Sequence, residues 1–322
     1  MRLLFIFLIT LPFAGFSQNE NLDFPRDTSF NVQNTFLKEQ KKFPFITIVE
    51  ELHSYDVIAQ RDVVYCTLGN RKLHADVFYP SDESKKHPGV ILIHGGGWAS
   101  GNKSHLVPLA QKLAANGFVA ASVEYRLSPE AKYPAGVNDL KTAVKWFKTQ
   151  ADDFGLDTTK IATLGTSAGA TLATLLGVTG GNPVFTSHPR FENVSGQVQA
   201  IVNMDGVLDF TDPAESGKDN DPTKPSAGAR WFGYTFKEKP ELWIEASPNI
   251  YVDKNTPPTL FINSSLPRFH AGRAKYLEIL NQAGTYNEVH TIENTPHPYW
   301  LFHPWFDEAW PLVVDFLNKI WE

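Results

Sequence analysis

The stretch "KIATLGTSAGATLATLLGV", Lys160–Val178, changes character halfway along. "KIATLGTS" reads as a strand, and "AGATLATLLGV" as a helix of small residues able to pack close against a sheet. At the junction Ser167 stands between Gly165 and Gly169, a G-x-S-x-G pattern. A serine there sits on a sharp, strained turn, and the flanking glycines keep side chains out of a crowded neighbourhood. The N–H of Ala168 then opens the helix and points to where an oxyanion would form, with the partial positive charge of the helix start behind it. The pentapeptide also occurs as an ordinary glycine turn. The strand before it and the helix after it mark Ser167 as a candidate nucleophile.

The same alternation runs outward in both directions and indicates an α/β layer fold. Upstream, "RDVVYCTL" and "KLHADVFYP" read as an antiparallel hairpin around "GNR". "GVILIHGGG" reads as a buried parallel strand, "SHLVPLAQKLAANG" as a helix closed by Gly117, and "FVAASVEYR" as a strand. "AGVNDLKTAVKWFKTQ" has Val137, Leu140, Ala143, Val144 and Phe147 on one helical face. Downstream, "QAIVNMDG" is the sixth strand, "PPTLFINSS" the seventh and "NEVHTIE" the eighth, with helices at "AGRAKYLEILNQAG" and "WFDEAWPLVVDFLNKIW". Residues 210–247 break the rhythm with charges, prolines and aromatics and read as an insertion over the site. Residues 18–60 are polar and weakly periodic and read as an extended arm, partly ordered at best, so the catalytic domain is placed at 61–322.

The first residues, "MRLLFIFLITLPFAGFSQNE", have the form of a secretory signal. Arg2 supplies the positive start, Leu3 to Phe16 an apolar run too short to span a bilayer comfortably, and Gly15 and Ser17 the small residues before a cut. Cleavage after Ser17 is expected, leaving a soluble secreted or periplasmic protein without stable membrane insertion. The 322 residues are 42% hydrophobic and 20% charged with net charge −6, and without a Lys/Arg-rich run nucleic acid is not an expected partner. Cys66 is the one cysteine, which rules out an intrachain disulfide or a multi-cysteine metal site, and it is expected as a buried strand residue. No metal or cofactor is expected.

"HGGGW", His94–Trp98, ends a strand upstream of the turn. Three glycines let the backbone fold back and aim bare N–H groups inward. Gly96 and Gly97, with Ala168, are the expected oxyanion donors, while His94 is expected to hold the loop by hydrogen bonding. "HGGGW", then "YRLSPEAKYPAGVNDLKTAVKWF", then "GTSAGA" resemble the α/β-hydrolases of the hormone-sensitive-lipase and bacterial carbohydrate-esterase type over roughly residues 60–320. The resemblance implies the α/β-hydrolase fold, an eight-stranded, mostly parallel sheet flanked by helices, here with an insertion after strand six. It also implies hydrolysis of carboxylic esters. "INSSLPRFHAGR" with "TPHPYWLFHPWF" looks similar to exported esterases that trim pectin-like polysaccharides. An ester-bearing carbohydrate, acetylated or methylated, is therefore the expected partner.

His297 in "ENTPHPYW" follows the last strand, where the fold places its base, and comes after the serine as the chain order requires. His303 is the rival and fits better as a cap or substrate contact; His290 lies inside a strand and reads as structural. Many relatives carry their acid after strand seven, but "INSSLPRF" has no carboxylate. Asp205 ends strand six, with Gly206 to turn the chain, and is the first candidate. Glu293, Asp209 and Glu215 remain open, Asp209 fitting better as a turn cap. Arg268 is expected to contact an anionic substrate such as a uronate, Arg273 to cap or pair at the start of its helix, and Trp98 and Trp300 to line a carbohydrate site. Most aromatics from Tyr299 to Phe306 read as core packing. Two other classes stay open: an exopeptidase, whose acidic pair would come from Glu215 and Asp219, and a non-catalytic binding protein on a hydrolase scaffold.

Overall fold

A computed structural model describes residues 24–216 and 223–322. The expected signal, residues 1–17, lies outside the described residues, as does Asp219. The main sheet contains β1 (Val57–Leu68), β2 (Arg71–Pro80), β3 (His87–Ile93), β4 (Val119–Val123), β5 (Leu156–Thr166), β6 (Ala200–Met204), β7 (Thr259–Ser264) and β8 (Asn287–Ile292). Their spatial order is β1-β2-β4-β3-β5-β6-β7-β8. β2 runs antiparallel to both β1 and β4, and every later pair is parallel. This is the α/β-hydrolase fold.

The inner parallel strands β3, β4, β6 and β7 are buried on both faces because both are covered. In β3, Ile91 and Ile93 join the cluster that includes Val137, Leu140 and Phe147 of one helix and Leu172 and Leu175 of another. Val90 and Leu92 point the other way, to the cluster with Leu109, Leu113, Val313 and Phe316. The period-two alternation of a strand thus serves two cores at once. The first pair of helices is α3 (Ala135–Thr149) and α4 (Ala168–Val178), and the second is α2 (Val107–Ala115) and α9 (Trp305–Trp321). Helix α1 (Val32–Glu39) precedes the sheet. Among the described residues no helix is long and apolar enough to cross a membrane.

From residue 24 on, the segment read as an extended arm is packed. Besides α1, it contributes Thr47–Ile48, which pairs antiparallel with Phe302–His303. Phe43 and Ile46 are buried in the same cluster as Phe302 and Trp305, with Phe30 and Phe36 packed against it. β1 begins at Val57, four residues before the expected start of the domain. The insertion after β6 folds as α5 (Pro213–Ser216), α6 (Ala227–Phe232) and α7 (Pro240–Glu245), with α8 (Arg273–Ala283) following β7. Its aromatics supply a core of their own: Trp231 stacks on Trp98 at 4.7 Å, and Phe232 lies 4.8 Å from Trp243. Each such side chain, fully buried, contributes roughly 1.5–3 kcal/mol. This aromatic core seats the insertion on the loop that carries the three glycines.

Candidate active site

Ser167 caps α4 with φ 53° and ψ −125°, a left-handed backbone that a non-glycine residue adopts only under constraint. The constraints are visible. Its N–H donates to the Met204 carbonyl at 2.8 Å. A Cβ at Gly165 would collide with the Gly169 carbonyl, and one at Gly169 with the Ile93 carbonyl. The two glycines of G-x-S-x-G are therefore space requirements, and the serine between them projects from the end of β5.

His297 lies in the loop after β8. Its Nε2 is 2.7 Å from Ser167 Oγ, and its Nδ1 is 2.8 Å from Asp205 Oδ2. Asp205 is fully buried at the end of β6 with φ 62°, a conformation that turns its carboxylate toward the histidine loop. Three further donors hold that carboxylate: the Ser264 N–H at 2.8 Å and Asn263 Nδ2 at 3.3 Å on Oδ1, and the Ser264 hydroxyl on Oδ2. The end of β7, where no carboxylate stands, thus supplies the groups that hold the carboxylate of β6. The imidazole is clamped as well. The Phe269 ring lies flat on it at 3.6 Å, and Trp300 meets it edge-on at 5.3 Å.

Beside Ser167 lies a cavity of about 60 Å³, lined among others by Gly97, Ala168, Val207, Ala227 and Phe269. Among the described residues no protein acceptor takes the N–H of Gly97 or Ala168. Gly96, the other expected donor, is not part of the lining. Its N–H, like theirs, has no protein acceptor among the described residues, and its carbonyl accepts the N–H groups of Ala99 and Ser100 at 3.2 and 3.0 Å, which holds the turn. His94 is buried and stacked on Tyr125, its Nδ1 bonded to the Gly95 carbonyl at 2.8 Å. Burial pulls its pKa down to about 3, which suits a neutral loop-holding residue.

The other candidates are dispersed. Asp209 Oδ1 accepts the Thr211 N–H and hydroxyl, a local turn cap. Glu293 is exposed. Glu215 forms an ion pair with Arg268 Nε at 2.9 Å, and both line the cavity. His303 bonds Asp307 at 2.6 Å and His290 bonds Glu288 at 2.8 Å. Arg273 binds the Asn263 side chain, one step behind Asp205, rather than an acid. The two tryptophans are corrected. Trp98 borders the cavity but is 6% exposed, its face taken by Trp231; Trp300 is 4% exposed between His297 and Tyr299. Neither has a free face for a sugar. Phe269, Ser264 and Asn263 went unnoticed in the sequence. A lone loop phenylalanine has no periodicity to mark it, and hydroxyl and amide partners of a distant acid leave no local signal.

Comparisons with known proteins place this geometry. Esterase LipC of Mycobacterium tuberculosis is 33% identical over 192 residues, covering 56% of this chain and 45% of LipC. The chain spans less than half the length of the first three curated relatives it matches. Among solved structures, a truncated carbohydrate esterase from gut microbiota superposes with a TM-score of 0.71 at 22% identity, covering 84% of this chain and 99% of the other. The butyrate-bound esterase Est2 of Thermogutta terrifontis gives 0.68 at 22% identity, covering 83% and 95%. At this identity the two structures speak for the fold. The BD-FAE family profile matches residues 75–266, from β2 through the serine turn to just beyond β7, which is more than half of the chain; the protein belongs to the BD-FAE family.

Proposed function

We propose that this protein is an exported serine esterase that hydrolyses a small carboxylic ester, acetyl or methyl, on a pectin-like polysaccharide through an acyl-enzyme on Ser167. The observation that carries the reading is the continuous chain from Ser167 Oγ to His297 Nε2 at 2.7 Å and from His297 Nδ1 to Asp205 Oδ2 at 2.8 Å. Nucleophile, base and orienting acid need this connectivity.

As Oγ attacks the ester carbon, Nε2 takes its proton. The buried Asp205 carboxylate stabilises the imidazolium that forms and fixes the tautomer in which Nδ1 carries hydrogen. The carbonyl oxygen gains charge and turns to the N–H groups of Gly97 and Ala168; losing one donor of this kind costs roughly 10²–10³ in kcat. The imidazolium then protonates the leaving alkoxide, and a water repeats the cycle in reverse on the acyl-enzyme.

Size and charge support the substrate class. A cavity of about 60 Å³ beside the nucleophile suits a small group such as acetyl. Arg268, about half exposed at the cavity rim, offers a guanidinium to an anionic sugar, although its Nε is already shared with Glu215. The gut-microbiota neighbour is titled a carbohydrate esterase, and the Thermogutta neighbour was solved with butyrate, which agrees with small esters. Export rests on the leader sequence and cleavage after Ser17.

The test is mass spectrometry of defined acetylated and methyl-esterified oligogalacturonides before and after treatment. Loss of acetyl or methyl groups is expected, and unchanged oligosaccharides beside active hydrolysis of p-nitrophenyl acetate would remove the pectin-like substrate from the reading.

A further inference from the structure

We infer that the N-terminal arm braces the oxyanion loop, with Asp27 acting through its backbone N–H as a positioning residue for Gly97. The inference rests on the esterase reading given above and extends it to a segment outside the catalytic motifs.

The loop His94–Gly101 is held in an unusual shape. Gly96, Gly97, Trp98 and Gly101 all have positive φ, at 128°, 59°, 59° and 95°. The glycines take such angles freely, but Trp98 keeps its own only where its surroundings over-determine it. From the sheet side the hold is clear. Tyr125 donates its hydroxyl to the His94 carbonyl at 3.0 Å, and the Ser128 N–H takes the Trp98 carbonyl at 2.7 Å. The next carbonyl, that of Ala99, is bound from outside the domain core: the Asp27 N–H donates to it at 3.0 Å, and Asp27 forms a parallel bridge with Ser100. Ala99 and Ser100 are 7% and 4% exposed, so little water reaches the position to replace that donor.

The arm is anchored on both sides of this contact. Upstream, the Phe24 ring lies under the Arg71 guanidinium at 4.8 Å. Downstream, Phe30 meets His105 edge-on at 5.1 Å, and His105 in turn lies edge-on to His94 at 6.4 Å. Between them the Ser29 N–H closes a turn on Asp27 Oδ1 at 2.8 Å, which fixes the direction in which the chain leaves the bridge. Ser100, the bridged residue, returns both its N–H and its hydroxyl to the Gly96 carbonyl at 3.0 and 2.9 Å. A short hydrogen-bonded path therefore runs from Asp27 to the peptide whose N–H lines the cavity beside Ser167. Oxyanion donors act only within a few tenths of an ångström of their best distance, so loosening this path lowers turnover before it lowers substrate binding.

The test is a pair of substitutions in the full chain. Asp27→Pro deletes the N–H; Asp27→Asn keeps both the N–H and the side-chain acceptor. With p-nitrophenyl acetate, Asp27→Pro is expected to lose about tenfold or more in kcat, short of the roughly 10²–10³ of a missing donor, while KM stays within about twofold. Its affinity for a trifluoromethyl ketone, which presents an oxyanion to the same N–H groups, should fall in step, and Asp27→Asn should match the wild type. Wild-type kcat and ketone affinity in Asp27→Pro, with only the melting midpoint lowered, would overturn the brace and leave the esterase reading standing. A wild-type protein without ester turnover would overturn the esterase reading itself. If Asp27→Pro shows no cooperative melt, Phe30→Ala decides: a fall in kcat at constant KM supports the brace, and an unchanged kcat overturns it.

Discussion

Replacing Asp205 by asparagine keeps shape and volume and changes only which atoms donate. In the native site all four neighbours of the carboxylate are donors: the Ser264 N–H and Asn263 Nδ2 on one oxygen, the Ser264 hydroxyl and His297 Nδ1 on the other. An amide satisfies only one side. The Ser264 N–H cannot rotate, so it claims the amide oxygen and turns the NH₂ toward Ser264 Oγ and His297. The hydroxyl can reverse and accept; the imidazole can adapt only by moving its hydrogen from Nδ1 to Nε2. That tautomer presents a donor to Ser167 Oγ, 2.7 Å away, and cannot take its proton. The expected loss in kcat is roughly three to four orders of magnitude, about 4–5.5 kcal/mol in the barrier, with KM little changed. The weaker bonds that a neutral amide oxygen makes to the Ser264 N–H and Asn263, and any residual donor clash on the NH₂ side, cost about 1–3 kcal/mol of stability, so the melting midpoint should drop by several degrees while unfolding stays cooperative. Steady-state hydrolysis of p-nitrophenyl acetate beside a thermal melt measures both. A kcat within tenfold of wild type in a folded Asp205→Asn protein would refute the assignment, and a loss in Glu293→Gln instead would move the acid into the histidine loop.

His94 and His105 are buried with pKa values pulled down to about 3 and about 4, against about 6.5 in an unfolded chain. The unfolded state therefore takes up protons first as pH falls, and the stability present above about pH 6.5 should shrink by about 2 kcal/mol per histidine at pH 5, about 4 kcal/mol together. Urea unfolding at pH 7.5 and 5 checks this, and equal stabilities would mean that one or both rings are accessible to protons in the folded state. Arg268→Ala should raise KM for a uronate-containing oligosaccharide several-fold more than for p-nitrophenyl acetate, whereas equal changes on both would make the Glu215–Arg268 pair structural. N-terminal sequencing of protein recovered outside the producing cell should begin at or near Gln18, and an intact Met1 there would rule out cleavage.

The parts of the site that could be read from the sequence are those whose geometry depends on immediate neighbours. Gly165 and Gly169 flank Ser167 because their missing side chains make room for the Gly169 and Ile93 carbonyls, and that requirement shows as a local string. The three glycines of the upstream loop and the position of His297 after the last strand are local in the same sense. Asp205 was legible because an aspartate followed by glycine ended a strand whose successor offered no carboxylate. What escaped depends on contacts across long sequence separations. The arm appeared unstructured because Phe30, Phe36, Phe43 and Ile46 share no period, yet they pack against the cluster of Phe302 and Trp305, more than 250 residues away. Trp98 and Trp300 are aromatic residues near the site, and residue type alone does not reveal that Trp231 and His297 already occupy their rings.

The central claim is that Ser167 carries the acyl group. Rapid-quench peptide mass spectrometry of the protein mixed with p-nitrophenyl acetate, run beside Ser167→Ala, tests it directly. Transient acetylation of the peptide containing Ser167 is expected, with turnover in the variant falling by roughly four or more orders of magnitude. Undiminished hydrolysis by Ser167→Ala, or an acetyl group found on another residue during turnover, would contradict it.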